Sequence, residues 1–110
     1  NIRAFKVRPN GTLDLGSDYV FCQMREPRGE IPGPDGMKVD VEGNVYSTGP
    51  GGVWVIDPTG KHLGTILVKE QTTNVGWGGE DWKTLFITTF ESVARIQLKI
   101  PGMPVPTAGQ

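Results

Sequence analysis

Two stretches of this chain are rough copies of each other about 40 residues apart, and that spacing narrows the folds open to it. Val45-Tyr46-Ser47-Thr48 falls on Leu85-Phe86-Ile87-Thr88, and Val53-Trp54-Val55-Ile56 falls on Val93-Ala94-Arg95-Ile96. A looser echo lies upstream, where Pro9-Asn10-Gly11-Thr12-Leu13 resembles Pro58-Thr59-Gly60-Lys61-His62. Each main copy turns on one polar residue: Asp35 in Pro34-Asp35-Gly36-Met37 and Asn74 in Thr73-Asn74-Val75-Gly76. An all-strand period of about 40 residues is the length of a propeller blade, a four-stranded sheet that cannot bury both faces alone. The chain holds about two and a half such units, so the expected fold is all-β and part of a larger ring.

Composition agrees with that reading. Sixteen glycines and nine prolines in 110 residues favour many short strands joined by tight turns. No segment shows a helical apolar period. Eleven basic residues stand against twelve acidic ones without a Lys/Arg cluster, which argues against nucleic acid as a partner. No apolar run approaches the roughly 18 residues of a membrane helix. The single Cys22 rules out an internal disulfide and leaves the compartment open.

Along the chain, the alternation from Ile2 to Arg8 predicts a half-buried strand, Pro9-Asn10-Gly11 a hairpin turn using the positive φ that Asn-Gly supplies, and Asp18 to Gln23 a second strand. Arg25 to Gly33 is charged and rich in Pro and Gly, as a loop between sheets would be. Expected boundaries are the end of one blade plus a loop over 1–33, a full blade over 34–72, a last blade lacking its outer strand over 73–100 and a tail over 101–110. The proline-rich Pro101 to Pro106 cannot join a sheet interior.

Pro34-Asp35-Gly36-Met37-Lys38-Val39-Asp40, then Gly43-Asn44-Val45-Tyr46 and Gly51-Gly52-Val53-Trp54-Val55-Ile56-Asp57-Pro58-Thr59-Gly60-Lys61, resembles the gluconolactonase, regucalcin and luciferin-regenerating enzyme family. Gly76-Trp77-Gly78-Gly79 ahead of Lys83 to Thr88 continues the likeness. The resemblance implies a six-bladed β-propeller with one divalent cation on its axis, of which this chain matches the C-terminal third or so. It also implies that Asp35, the aspartate of Pro-Asp-Gly, is a metal ligand and a catalytic residue. Two further family ligands, an early glutamate and a middle-blade asparagine, have no counterpart here, and Asn74 does not substitute for the latter.

The chemistry fits such a site. Carboxylate and amide oxygens suit Ca²⁺ first, with Zn²⁺, Mg²⁺ or Mn²⁺ as alternatives. Such an ion polarises a lactone carbonyl while a neighbouring carboxylate orients or deprotonates water. The implied activity is hydrolysis of an aldonolactone-type ester, with the isolated chain expected to be inactive because most ligands are missing. From its neighbours alone, Asp35 is first an Asp-Gly turn residue. Asn74 is placed either in the substrate pocket beside it or as a loop cap. A rival reading is a non-catalytic binding or assembly module that closes a ring by self-association, since sheet edges would otherwise stay unpaired.

Other residues read as structural. The only histidine, His62, is placed on the surface of an outer hairpin, which disfavours a Ser-His-Asp triad. Asp40 to Asn44 is a hairpin and lacks calcium-loop spacing. Thr48, Thr88 and Thr89 end strands, Cys22 is buried in one, Trp54 and Trp77 pack between sheets, and Trp82 covers a loop.

Overall fold

The computed structural model describes residues 1–25 and 33–106. Every regular element among them is a strand: β1 (Ile2–Val7), β2 (Leu13–Cys22), β3 (Met37–Val39), β4 (Val45–Gly49), β5 (Gly52–Ile56), β6 (His62–Leu67), β7 (Thr72–Gly78), β8 (Thr84–Thr89) and β9 (Val93–Gln97). They form three antiparallel sheets ordered β1-β2, β3-β4-β5-β6 and β7-β8-β9. The copied segments occupy matching places, as β4 and β8 and as β5 and β9. Most of the loop expected over Arg25 to Gly33 lies outside the described residues.

The middle sheet is buried on both faces because its side chains alternate between two cores. Trp54 and Ile56, with Val45, pack against Ile2, Cys22, Met24 and Phe21 of the first sheet and its exit. Tyr46, Val53, Val55 and Ile66 face the other way, onto Val75, Trp77, Leu85, Ile87 and Ile96 of the third sheet. The end sheets each keep one bare face, with Leu13, Leu15 and Tyr19 exposed at one end and Phe90 and Val93 at the other.

The turns share one design. Arg8 to Thr12, Asp40 to Asn44 and Asp57 to Lys61 each close with a bond from the first residue's N–H to the fifth's carbonyl, and another from the glycine's N–H to the first's carbonyl. The glycine is fourth in each, at φ 83°, 86° and 94° for Gly11, Gly43 and Gly60. This explains the upstream echo and corrects one expectation. Asn10 is not in the left-handed region; its Oδ1 instead accepts from the Thr12 N–H at 3.1 Å and hydroxyl at 2.7 Å, and Gly11 alone supplies the reversal.

One strand and the tail also depart from expectation. β2 begins at Leu13, well before Asp18, and its pairing with β1 carries register shifts, one beside Ser17, whose Oγ accepts the Lys6 N–H at 2.7 Å. The tail does more than end the sheet. Gly102 bridges Asp40, its N–H donates to the Trp82 carbonyl at 2.7 Å, and the Val41 and Met103 N–H groups donate to the Pro101 and Val39 carbonyls at 3.0 Å. Gly102 is required there, because a Cβ on it would lie 1.9 Å from the Trp77 ring.

Candidate functional site

Short strand β3 sets the site, because it carries an aspartate beyond each end. Asp40 is fully buried, and its carboxylate is saturated: Oδ1 accepts the Glu42 and Asn44 N–H groups at 2.9 and 3.0 Å, and Oδ2 accepts Asn44 Nδ2 at 2.9 Å and the Tyr46 hydroxyl at 3.1 Å. Burial, then the bond to Asp40, pushes the Tyr46 hydroxyl pKa upward. This carboxylate is consumed by the fold, and its residues form the hairpin expected from the sequence.

Asp35, at the other end, is exposed. The hydrogen bonds it makes among the described residues are through its backbone: its N–H donates to Thr48 Oγ1 at 2.9 Å, and the Gly36 N–H donates to the same oxygen at 3.1 Å. The Thr48 N–H returns a bond to the Gly36 carbonyl at 3.0 Å. Thr48 is fully buried, so this bracket fixes the backbone, while the Asp35 carboxylate makes no hydrogen bond among the described residues.

The third sheet supplies Asn74 to the same end. A Cβ on Gly36 would stand 2.0 Å from Asn74 Oδ1 and 2.7 Å from Asn74 Cα, so the entry to β3 and the start of β7 touch and glycine is what lets them. Asn74 is exposed, and its Oδ1 accepts the Val75 N–H at 2.8 Å. Thr88 makes a different tie at the copied position, donating to the Asn74 carbonyl at 3.4 Å and sharing a 2.8 Å bond with the Thr73 hydroxyl. Strand ends β4, β7 and β8 thus bring Asp35, Gly36 and Asn74 together.

Other candidates sit elsewhere. His62 is exposed, stacks on Trp54 at a 3.7 Å centroid separation and bonds Thr65 Oγ1 at 3.0 Å. Trp54 Nε1 donates to the Pro50 carbonyl at 2.8 Å. Trp77 meets Tyr46 edge-on at 4.9 Å and donates to the Val39 carbonyl at 2.9 Å, so both tryptophans pack between sheets. Trp82 holds a left-handed turn at φ 58°. Glu70, in the loop before β7, accepts from the Thr89 and Ser92 hydroxyls at 2.6 and 3.0 Å, and those bonds hold its carboxyl below the usual range. A concavity lined by Thr84, Arg95 and Gln97 opens on the far face of the third sheet, away from Asp35.

The family model described as SMP-30/Gluconolactonase/LRE-like region matches residues 1–91. The chain belongs to this family. It is 37% identical over 70 residues to a gluconolactonase of Zymomonas mobilis, covering 63% of this chain and 20% of that protein. It is 43% identical over 60 residues to regucalcin of Danio rerio, covering 51% of this chain and 20% of that one. Among solved structures, one assigned as a gluconolactonase superposes with a TM-score of 0.78 at 25% identity, covering 94% of this chain and 33% of that chain. The chain therefore spans about a fifth of the length of these curated relatives and about a third of the solved one.

The residues offer oxygen donors of the kind a hard divalent cation takes: Asp35 an exposed carboxylate, and Asn74, which meets Gly36, an amide oxygen. Among the described residues no three His, Cys, Asp or Glu side chains gather as a metal cage. A hard cation needs more oxygens than these two residues supply.

Proposed function

We propose that this chain is the C-terminal part of a metal-dependent sugar lactonase, and that Asp35 is both a ligand of the cation and the base of the reaction. The observation that carries this is the exposed Asp35 carboxylate, on a turn fixed by Thr48 beside the Gly36–Asn74 contact, in a chain of the gluconolactonase family. When bound, a Ca²⁺-like cation polarises the lactone carbonyl. Asp35 orients the attacking water and takes its proton. The water oxygen joins the acyl carbon, the ring C–O bond breaks, and the proton ends on the leaving hydroxyl. Asn74 supplies an amide to the hydroxyls of the sugar acid. In this reading the three sheets are successive parts of a six-bladed ring.

The test has two arms. The 110-residue chain alone, with Ca²⁺ or Mn²⁺, should hydrolyse gluconolactone no faster than buffer. Grafted in place of the matching segment of the Zymomonas mobilis enzyme, it should restore turnover, and Asp35→Asn in the graft should remove at least 99% of it, a loss on the scale of general-base catalysis, about 100-fold or more. A folded graft that turns over equally with Asn at this position sinks the assignment.

A second reading has its own observation. Leu13, Leu15 and Tyr19 on one end sheet and Phe90 and Val93 on the other are exposed, as they would be on a module that closes its ring by association. Sedimentation at high protein concentration decides it, and a monomer throughout excludes it.

A further inference from the structure

We propose that Thr48 is a positioning residue for Asp35: the two amide bonds into its Oγ1 fix the turn from which the Asp35 carboxylate emerges. The inference rests on the metal-ligand reading of Asp35 and adds the residue through which the fold holds that ligand in place.

Three observations carry it. The Thr48 hydroxyl accepts from two consecutive N–H groups, Asp35 at 2.9 Å and Gly36 at 3.1 Å, across thirteen and twelve residues of sequence. The return bond from the Thr48 N–H to the Gly36 carbonyl makes the contact a closed bracket. The copied position shows the opposite polarity, the Thr88 hydroxyl donating to the Asn74 carbonyl and sharing a bond with Thr73 Oγ1, so acceptance of two amides is particular to Thr48. A threonine that merely filled space at the end of β4 could be valine, since β-branching alone suits the strand. An oxygen here is needed because two backbone donors have no other acceptor among the described residues. The Thr48 side chain is fully buried, so its effect passes through the turn that carries Asp35.

The experiment uses the ¹⁵N-labelled full chain with Mn²⁺ as the probe, in Thr48→Val, Thr48→Ser and Asp35→Asn variants. Amide hydrogen exchange at Asp35 and Gly36 should quicken about tenfold in Thr48→Val, the scale of one lost hydrogen bond, while Tyr46 and Val53 keep their protection. Thr48→Ser should restore wild-type exchange. Mn²⁺ should broaden the Asp35 and Gly36 resonances in the wild type and Thr48→Ser, about tenfold more weakly in Thr48→Val, and not in Asp35→Asn. Unchanged exchange and broadening in a folded Thr48→Val overturn the proposal, as does exchange quickened equally across the whole sheet. If the wild type shows no broadening at Asp35, the chain by itself does not hold Mn²⁺, and the bracket stands or falls on exchange alone. Should Thr48→Val not fold, Thr48→Cys takes its place, being near in volume and a weak acceptor.

Discussion

The two ends of β3 hold the same side chain in opposite conditions. Asp40 is buried and accepts four hydrogen bonds; Asp35 is exposed, and its hydrogen bonds among the described residues run through its backbone. A carboxylate surrounded by donors is part of the fold's own wiring, and it has no lone pair left for a ligand. One whose backbone is fixed and whose side chain is exposed is available to a ligand, the role proposed for Asp35. Burial alone does not tell these two uses apart.

Removing the buried end should cost most. Asp40→Ala leaves two backbone N–H groups, the Asn44 amide and the Tyr46 hydroxyl without their acceptor, so unfolding should lose about 3 kcal/mol or more. A loss under about 1 kcal/mol in a denaturant titration would show that these donors find other partners.

Tyr46→Phe probes the same end more gently. Near neutral pH it should cost about 1 kcal/mol for the bond to Asp40. Its pH dependence is the sharper readout. The folded protein raises the Tyr46 pKa, so the unfolded chain ionises first, at about pH 10. The contribution is therefore whole below that pH and falls as pH rises through it. Thermal midpoints from pH 8 to 11 should drop more steeply for the wild type than for Tyr46→Phe; parallel curves would refute the coupling.

The smallest effect on stability belongs to the other end. Asp35→Asn should leave the unfolding free energy within about 0.5 kcal/mol of wild type, as expected of an exposed position outside the core. A destabilisation near that of Asp40→Ala would mean the carboxylate is structural and would erase the contrast.

Much of this architecture was legible in the residues. The spacing of Val45-Tyr46-Ser47-Thr48 from Leu85-Phe86-Ile87-Thr88 located β4 and β8, because strand alternation and blade length are both local signals. The echo of Pro58-Thr59-Gly60 in Pro9-Asn10-Gly11 located two hairpins of one design, although Gly11 rather than Asn10 takes the unusual φ. What escaped depends on pairs distant in sequence. Nothing near Gly102 announces Asp40 or Trp77, and nothing near Thr48 announces the amides of Asp35 and Gly36. The role of Asp40 was hidden for another reason: a turn aspartate reads alike whether Tyr46 closes over it or water does. For the site, the motif drew attention to Asp35, while the touch between Gly36 and Asn74 is visible only in three dimensions.

The tail bridge has a consequence for how the chain is made. Trp77 and Asp40 precede Gly102 by 25 and 62 residues, yet the seat of the indole and the edge beside Asp40 are complete only when that glycine docks. The junction between the second and third sheets therefore closes late in folding, after contacts that are nearer in sequence. The segment around Gly102 thus works as a latch, and the interval before it closes is when this molecule is most exposed to mispairing.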